Sequence, residues 1–505
     1  MSNVLGASAA PVRRPSMILT IARKELREIF RDGRFFWTAA IMFVLLVSAL
    51  VVGAHRYATY NTMQSHAQEV SDGQFYTQGD KNPHSGAHYG NYAFREAGPL
   101  SFFDNGVDPY TGSFIFMEAH KQNPARAVQA GDTSALTRFG DLNGAMILQV
   151  LMPLLIIFLG FSAFAGERER GTLRQLLSIG VPRGRLLWGK ALGIGAAVAL
   201  VIAPCIILGA VAITLLDITP SGDAFGARIG LLAASYAAYA VIFLFLTLAV
   251  SAVASSPRTA LIALVGFWAF SAFIMPKAAS EIAKFVTPTP ALGEFDARLQ
   301  ETRAKGLGGP PPRARLAQYR QSLLDEYGVE DVADLPVYWV ALSMQRLEEM
   351  DHEFYDYYYK GLDNSYLEQR RLQDMLGVLA PTLPLTSISM GLSGTDLLHQ
   401  RDFVNAAEAT RREMVTKVNG YLAEMAASFN ANLRADATTD IESNDRVLIA
   451  DEEVFRMVEP VRYSPPSFAA VMREYLWAFL ILALWVLAAI AIARVAVARI
   501  SLQSR

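Results

Sequence analysis

The chain contains few cysteines and few charged residues. Cys205 is the only cysteine among 505 residues, so an intrachain disulfide bond and a cysteine metal cluster are both excluded. Charged residues make up only 18% of the chain, whereas 52% of its residues are hydrophobic. This composition is too apolar for an ordinary soluble enzyme. The 45 basic and 47 acidic residues nearly cancel, so their distribution along the chain carries the useful information.

Six long apolar runs interrupt the polar sequence. A transmembrane helix needs about 20 apolar residues, because each adds about 1.5 Å and the hydrocarbon layer is about 30 Å thick. The first run follows a long polar leader and exceeds the apolar core of a signal peptide, so we interpret it as an uncleaved anchor. The sequence therefore predicts an α-helical polytopic membrane protein. Its six predicted transmembrane helices span residues 35–54, 147–165, 191–216, 229–254, 259–275 and 475–493.

Lysine and arginine residues predict the orientation of these helices. In membrane proteins, basic residues on short loops mark the cytoplasmic side. They are concentrated in the leader at 1–34, in the loop at 166–190 and in the tail at 494–505. The short loop after the third span instead carries Asp217 and Asp223. We therefore expect a bacterial inner-membrane protein with both termini in the cytoplasm.

Two long segments, at 55–146 and 276–474, are then predicted to lie outside the cytoplasm. The second is rich in helix-forming residues and is interrupted by a turn at 308–312, which predicts a large, mainly helical extracytoplasmic domain. The first carries turn signals at 80–83 and 104–106, so we expect a mixed, loop-rich unit that leans on the second.

The predicted cytoplasmic loop after the second span contains a short amphipathic helix. Leu173, Leu176 and Leu177 follow an i, i+3, i+4 spacing and would form one apolar face, and Gly180 with Pro182 would end the helix. Such a helix could lie along the membrane surface and present this face to a cytoplasmic partner. The alternative is a solvated amphipathic linker, and the periodicity alone leaves both open.

The same loop resembles the coupling segment of ABC-2-type permeases. The residues that carry this resemblance are Glu167, Gly171, Thr172, Leu173, Leu176, Leu177, Pro182, Arg183 and Lys190. The leader resembles the amphipathic elbow helix that precedes the first span in that family, at positions Arg23, Lys24, Glu25, Arg31 and Asp32. Two outer motifs, at 82–90 and 392–396, resemble a branch with a large extracytoplasmic insertion that is similar to permeases for multicopper-enzyme maturation.

This resemblance implies partners and does not imply a substrate. It implies two permease chains, identical or paralogous, that sit over a dimer of cytoplasmic ABC ATPases, and the ATP and Mg²⁺ would be bound by those ATPases. The expected partners are therefore the ATPase dimer, a second permease chain and membrane lipid, and no nucleic acid is expected. The chain itself is expected to bind no cofactor and to have no enzymatic activity.

Residues 184–190 match most of a phosphate-binding P-loop pattern. Ala191 stands where that pattern requires a Ser or Thr to hold Mg²⁺. No predicted strand precedes the match, and a predicted membrane span follows it. We therefore interpret it as coincidental, which agrees with a chain that relies on a separate ATPase.

All seven histidines fall in the two outer segments. His84 and His88 have the i, i+4 spacing of metal ligands on a helix, but Pro83 and Gly86 favour a loop. Histidines that anchor a loop through hydrogen bonds are therefore the favoured interpretation, and a metal site is the alternative. The candidate recognition residues of the outer segments are His84, His88, Tyr89, Asp396 and His399.

Three classes of function remain for such a chain. The first is an export permease that uses ATP hydrolysed by a separate subunit to export an apolar or amphipathic substrate. The second is a mechanotransmitter, which delivers the same work to a periplasmic partner while nothing crosses the membrane. The third is a membrane-anchored scaffold or protease-like domain, but no nucleophile–base pattern supports it. The near absence of charges inside the spans argues against a proton-driven carrier.

Overall fold

A computed structural model of the chain describes residues 16–127, 143–215, 224–428 and 448–500. Within these residues, six helices are long and apolar enough to cross a membrane. Each overlaps one of the six predicted apolar stretches, so the prediction of a polytopic α-helical membrane protein is confirmed. They span Phe35–Tyr76, Gly144–Glu169, Arg183–Leu215, Phe225–Val253, Pro257–Val286 and Leu476–Ala498. Asp217 and Asp223, used above to predict orientation, lie outside the described residues, as do residues 1–15 and 501–505.

The first half of the chain contributes three spans, the predicted elbow helix and a small sheet. Its helices are α1 (Met17–Arg31), α2 (Gly33–Tyr76), α3 (Pro83–Tyr89), α4 (Gly144–Gly160), α5 (Ala165–Glu169), α6 (Thr172–Ser178) and α7 (Arg183–Leu215). Its strands are β1 (Asn91–Phe94), β2 (Phe114–Glu118) and β3 (Lys121–Gln122).

The second half is helical, apart from short 3₁₀ turns and connections, over the residues that the structure describes. Its helices are α8 (Phe225–Val253), α9 (Pro257–Ala269), α10 (Met275–Val286), α11 (Leu292–Lys305), α12 (Pro312–Tyr327), α13 (Trp339–Leu376), α14 (Thr382–Ser393), α15 (Leu397–Ser428), α16 (Phe468–Glu474) and α17 (Leu476–Ala498). A π-helical turn at Phe270–Ile274 joins α9 to α10, so the helix of the fifth span continues without a break from Pro257 to Val286.

The helix that carries the first span is longer than the predicted span. The apolar run ends near residue 54, whereas α2 continues to Tyr76 and contains 44 residues. Residues 55–76 contain no proline and a single glycine, Gly73, so nothing in this polar stretch interrupts the backbone hydrogen bonds of the helix. Hydropathy therefore marks where the apolar run ends, and the helix extends well beyond that point.

The spanning helices pack around α8. Tyr239, Phe243 and Leu248 of α8 are almost completely buried. On α17, Ala489 and Ala493 are fully buried, and small residues of this kind let two membrane helices approach closely. Large apolar side chains elsewhere on the spans remain exposed, as expected of surfaces that face lipid.

The two ends of the helix bundle carry different structures. At one end, α1, α5, α6 and the chain that links them to the spans pack together; we call this the elbow end. There Arg183 donates hydrogen bonds from Nε and Nη2 to the carbonyl of Ile500, at 3.1 and 2.9 Å. At the opposite end lies the head domain, which we define as the described residues of 55–127 and 276–474. The loops predicted to be cytoplasmic therefore share one end, and the segments predicted to be outside share the other.

In the head domain, the first outer segment packs on the second. Strands β1, β2 and β3 form an antiparallel sheet in that order, with Tyr92 opposite Phe116 in the β1–β2 register. The buried residues Ile115 and Met117 of this sheet form a cluster with Phe403 of α15. This contact agrees with the expectation of a mixed, loop-rich unit that leans on a helical domain.

Candidate coupling site

The elbow helix α1 has one buried and one exposed face. It begins at Ser16, whose Oγ accepts a hydrogen bond from the backbone N–H of Leu19 at 3.3 Å and so caps the first turn. Glu25 and Ile29 are buried on the inner face. The outer face carries exposed basic residues, among them Arg23 and Arg31, and Asp32 ends the helix. The amphipathic helix predicted from the leader is therefore present, and it lies against its own bundle.

Two glycines allow α1 to approach the third span closely. A methyl group at Gly189 would lie 2.6 Å from Cβ of Ile21, and one at Gly193 would lie 2.7 Å from Cβ of Glu25 and 2.9 Å from the carbonyl oxygen of Ala22. These separations are shorter than van der Waals contact, so any side chain larger than hydrogen would push the two helices apart. The Gly-x-x-x-Gly spacing on α7 is the usual device for such close packing.

A buried ionic cluster lies at the contact between α1, α5 and α7. Lys190 of α7 is 1% exposed, and its Nζ lies 2.6 Å from Oε1 of Glu25 and 2.9 Å from Oε1 of Glu167. Lys24 approaches the same two carboxylates, with Nζ 2.7 Å from Oε1 of Glu167 and 3.2 Å from Oε1 of Glu25. Two ammonium groups and two carboxylates therefore alternate in one network.

The positive and negative charges of the cluster compensate one another. Burial by itself lowers the pKa of Lys24, but the neighbouring Glu25 and Glu167 carboxylates outweigh this effect, so that its pKa is raised and the ammonium stays charged. Lys190 also lies 5.4 Å from the centroid of the Phe164 ring, a cation–π distance. Removing one member of such a buried set typically costs about 3–5 kcal/mol, because a buried charge is left uncompensated. The network therefore holds α1 against α5 and α7.

The turn between α4 and α5 is fixed to the end of α8. Oγ of Ser251 accepts hydrogen bonds from the backbone N–H groups of Phe164 and Ala165 at 3.0 and 3.1 Å. The guanidinium of Arg168 donates to the carbonyls of Ala252 and Ala254. A displacement of this turn would therefore reach α8 directly, as well as α1 and α7 through the ionic cluster.

The structure corrects the predicted role of the leucine face on α6. Leu173 is only 3% exposed, and Leu176 and Leu177 are half-buried and pack against the bundle core. These leucines therefore fix α6 to its own chain and do not form an open docking face. The exposed edge of this segment instead includes Arg174 and Ile179, of which the second is 76% exposed.

The remaining positions of the predicted coupling segment have local structural roles. Gly171 precedes α6 with a left-handed backbone (φ 76°), a conformation that glycine adopts at little cost. Oγ1 of Thr172 donates a hydrogen bond to the carbonyl of Glu167 at 3.2 Å. Pro182 is exposed at the start of α7, and Arg183 tethers this point to Ile500. These contacts give the segment a defined shape at the elbow end.

The P-loop-like stretch 184–190 lies within α7 and is helical throughout. A phosphate-cradling P-loop needs a glycine-rich loop whose backbone N–H groups are free to face the phosphates. Here the lysine of the pattern, Lys190, contacts Glu25 and Glu167. The stretch therefore has no P-loop geometry, and its lysine belongs to the ionic cluster.

The structure separates the candidate recognition residues of the head domain into three sets. Asp396 and His399 are buried: the Asp396 carboxylate accepts hydrogen bonds from Nδ1 of His399 and from the hydroxyl of Tyr475. Because Tyr475 directly precedes the last span, this pair connects the head domain to α17 and is not available at the surface. Tyr89, by contrast, is 49% exposed, with Nζ of Lys81 4.9 Å from its ring centroid.

His84 and His88 form the third set, and the prediction that they lie in a loop is wrong. They lie on α3, which begins at Pro83 after an Asn82 cap whose Oδ1 accepts the N–H of His84 at 2.9 Å. Proline is favoured at the first helical position, where its missing N–H has no helical partner to lose. Gly86 is required by packing, since a methyl group there would lie 2.0 Å from the ring of Phe455.

Sequence reasoning missed several residues of these sites. Gly193 could have been identified, because its spacing from Gly189 within an apolar run is the small-x-x-x-small pattern. His120 and Glu348, which pack beside the α3 histidines, could not, because nothing in their spacing connects them to α3. Only the folded head domain brings these segments together.

A cavity of about 530 Å³ lies between four of the spans, α2, α4, α7 and α8. Its wall is almost entirely apolar, and Leu46, Met152 and Val198 are typical of it. Tyr236 is the exception: its hydroxyl accepts from Nε2 of Gln149 and bonds Oγ of Ser389 in α14, both at 3.0 Å. The cavity has the size of a small-molecule site and one polar side near the head domain.

Comparison with known proteins gives the family. A family model described as ABC-2 family transporter protein matches residues 19–406, well over half of the chain. One similar protein is described as probable ABC transporter permease protein NosY from Pseudomonas aeruginosa, 36% identical over 152 residues, which are 29% of this chain and 52% of the relative. A protein of the same description from Stutzerimonas stutzeri is 38% identical over 78 residues, 15% of this chain and 28% of the relative.

The chain spans about half the length of the first of these relatives and less of the second. The family match is more extensive, since it includes the elbow helix, five of the six spans and much of the head domain. The chain therefore belongs to the ABC-2 family of transporter proteins and is a membrane-spanning permease subunit.

Proposed function

We propose that this chain is the membrane subunit of an ATP-driven exporter in the bacterial inner membrane, with both termini in the cytoplasm. A separate cytoplasmic ABC ATPase dimer would bind ATP and Mg²⁺ and dock at the elbow end. A second permease chain, identical or paralogous, would complete the transport pathway. The observation that carries this proposal is the buried contact of Lys190 with Glu25 and Glu167, because it joins α1, α5 and α7 into one mechanical unit.

The unit explains how work done by an ATPase would reach the spans. A push on the exposed edge around Ile179 acts on α6, which is held to the bundle by Leu173. Separating α1 from α7 would leave buried charges uncompensated, which is costly in a low-dielectric site. The elbow end would therefore move as a block and carry with it the third span, and the fourth through Ser251.

The cavity supports export of an apolar or amphipathic substrate. Its apolar wall would accept an acyl chain or a similar group, and Tyr236, whose hydroxyl bonds Gln149 and Ser389, brings polar groups to one side of it. A ligand with one polar end and one apolar body satisfies both features. The exporter hypothesis is thus favoured over one in which nothing enters the bundle.

Mechanotransmission to a periplasmic partner is the second candidate, and one observation favours it. The head domain is attached to the last span where α17 begins: Asp396 accepts from Tyr475, and Arg370 pairs with Glu474. Movement of α17 would therefore move the head domain even with the cavity closed. In this case the head domain would deliver work to a partner outside the membrane.

Reconstitution tests the proposal. The chain is purified with and without a candidate ABC ATPase from the same organism, placed in liposomes, and assayed for ATP hydrolysis and for export of a fluorescent phospholipid analogue. We expect no hydrolysis by the chain alone, and ATP-dependent export by the complex. Hydrolysis by the chain alone would contradict the assignment of a separate ATPase. Hydrolysis that is stimulated by the chain but moves no lipid or other amphipathic probe would favour mechanotransmission.

A further inference from the structure

Three histidines of the head domain face one another. His84 and His88 lie one turn apart on α3, and His120 lies in the two-residue turn between β2 and β3. Their ring centroids form a nearly equilateral triangle, with separations of 4.9, 5.0 and 5.0 Å. One ring nitrogen from each lies within 4.8 Å of the others. This is a compact set of three imidazoles from two separate elements.

Hydrogen bonds fix which nitrogen of His84 carries the proton. The amide nitrogen of Gln345 faces a carboxylate oxygen of Glu349 at 3.4 Å, and a carboxylate can only accept there. The Gln345 oxygen therefore accepts from Nδ2 of Asn419 at 3.1 Å, which turns the Asn419 oxygen towards Nδ1 of His84 at 2.8 Å. Nδ1 of His84 is thus the donor, and in the neutral ring Nε2 carries the lone pair.

A buried carboxylate fixes His120 in the same way. Nδ1 of His120 lies 2.7 Å from Oε1 of Glu348, whose side chain is 1% exposed. The other oxygen of this carboxylate, Oε2, lies 3.4 Å from Nη1 of Arg411, so Glu348 forms an ion pair there and accepts the proton of Nδ1. The backbone N–H of His120 donates to the same oxygen. Nε2 of His120 therefore also presents a lone pair when the ring is neutral.

These two lone pairs point at each other, with the two Nε2 atoms 3.1 Å apart. Two neutral acceptors repel at that distance unless a proton or a metal ion lies between them. A tetrahedral ion with metal–nitrogen bonds of about 2.1 Å holds its ligand nitrogens about 3.4 Å apart, which is close to the separation observed. We propose that His84, His88 and His120 bind a divalent transition-metal ion of the Zn²⁺ class, with Asn419 and Glu348 orienting two of the imidazoles.

The surroundings of the three rings suit such an ion. In metal sites, a ligating histidine usually donates the N–H of its second ring nitrogen to a carboxylate or carbonyl oxygen, which fixes the orientation of the ring. His88 is exposed, so ions and a fourth ligand such as water can approach from that side. His120 holds a left-handed backbone (φ 63°), which is costly for a residue other than glycine and is common at ligand sites. Imidazole nitrogens select borderline metals over Ca²⁺ or Mg²⁺, which prefer oxygen.

The site would connect parts of the head domain that are distant in sequence. All three histidines belong to the first outer segment, whereas Glu348, which contacts His120, and Asn419, which contacts His84, come from α13 and α15. A bound ion would therefore stabilise the contact between the two outer segments. This inference concerns the head domain alone and is independent of the proposed transport function.

The test uses the full chain, purified in detergent with a histidine-free tag and stripped with a chelator. Zn²⁺ binding is measured by competition with a chromophoric chelator, and Co²⁺ is added in parallel as a spectroscopic probe. We expect one Zn²⁺ per chain, a visible Co²⁺ absorption typical of tetrahedral nitrogen ligands, and no competition by a large excess of Mg²⁺. Cu²⁺ should bind at least as tightly as Zn²⁺.

Variants locate the ion. His88→Gln changes an exposed side chain and should leave folding intact while it weakens Zn²⁺ binding at least 100-fold, and Zn²⁺ should no longer raise the Tm. His66→Gln, which changes an exposed histidine on α2, is the matched control and should bind as the wild type does. Glu348→Gln should weaken binding about 10- to 100-fold, as expected of an outer-shell partner. Binding that is absent in the wild type, or equal in the wild type and His88→Gln, would overturn the proposal.

Discussion

Nζ of Lys190 lies 2.6 Å from Oε1 of Glu25, although 165 residues separate them in the sequence. Both side chains are buried, and each comes from a helix that begins at the elbow end of the bundle. The pair is made possible by Gly189 and Gly193, which let α1 lie directly on α7. Close backbone packing and a buried ion pair thus combine in one contact, and this contact is the basis of the proposed coupling mechanism.

Replacing Lys190 by methionine should weaken coupling to the ATPase while the six spans still assemble. Lys190→Met removes the ammonium that contacts both Glu25 and Glu167 and leaves only Lys24 to compensate them. We expect a loss of about 3–5 kcal/mol in the stability of the elbow contact. Limited proteolysis of α1 and stimulation of the partner ATPase would report that loss.

Lys24→Met is the comparison for this variant. The side chain of Lys24 is 43% exposed, so its removal leaves a site that water can still reach. A smaller effect, of about 1 kcal/mol, is expected for a partly exposed pair. Equal proteolysis and equal ATPase stimulation in both variants and in the wild type would show that the cluster has no coupling role.

A methyl group at Gly193 should loosen α1. Gly193→Ala places a carbon 2.7 Å from Cβ of Glu25 and 2.9 Å from the backbone oxygen of Ala22, so the helices must separate. Gly230→Ala, in α8, is the matched control, because this residue is exposed, lies outside the cavity wall and has no atom within 4 Å of an added methyl group apart from its own helix backbone. In an isolated helix both changes would be slightly favourable. We therefore expect a lower Tm and weaker ATPase stimulation for Gly193→Ala only, and a similar loss in both variants would refute the packing argument.

The six spans and the elbow helix could be predicted because they depend on local pattern. Apolar runs of sufficient length mark the spans, and the alternation of charged and apolar residues marks α1. The end of α2 at Tyr76 could not be predicted from hydropathy, because leaving the membrane does not interrupt a helix. The role of Leu173 was also missed, since an apolar face has the same sequence pattern whether it meets a partner or its own chain.

The three histidines of the head domain show what local sequence pattern cannot predict. His84 and His88 have a spacing that indicates metal ligands only if the segment is helical, and in the sequence alone Pro83 favours a loop. As the first residue of α3, Pro83 instead helps the helix to begin. His120 and Glu348 reach this helix through tertiary packing alone, so no local pattern could have added them.

Filling the cavity should block the substrate without disturbing coupling. Ala237 of α8 is part of the cavity wall, so Ala237→Phe places a large ring inside it. Ala234 lies on the same helix, is exposed and is not part of the wall, which makes Ala234→Phe the control. With liposomes containing the ATPase complex, we expect Ala237→Phe to reduce export at least tenfold at unchanged ATP hydrolysis. Unchanged export in this variant would remove the cavity from the pathway.

Asp396 should contribute more to stability than to recognition. Its two oxygens accept from His399 and Tyr475, and an asparagine would turn its amide group towards one of these donors. Asp396→Asn should therefore destabilise the head domain by about 1–3 kcal/mol. The exposed Asp334→Asn serves as control and should have little effect. Chemical denaturation, followed by tryptophan fluorescence, measures the difference.

The effect of Asp396→Asn should depend on pH. Burial would raise the pKa of Asp396, but its contacts with His399 and Tyr475 outweigh burial and lower it. The stabilisation is then fully present above the ordinary aspartate pKa of about 3.9 and is lost as the pH falls through the lower pKa of the folded state. The wild type and the variant should differ at neutral pH and converge in strong acid. A difference that grows on acidification would contradict this assignment.

Cross-linking between the elbow end and the ATPase tests the central claim most directly. Ile179 is 76% exposed beside α6, and the only native cysteine, Cys205, is buried, so Ile179→Cys can be labelled selectively with a photoactivatable maleimide. Tyr110→Cys, at a residue of the head domain that is 63% exposed, is the control. In the assembled complex, the account predicts a cross-link to the ATPase from position 179 and none from position 110. A cross-link from position 110, or none from position 179 in a complex that hydrolyses ATP, would contradict it.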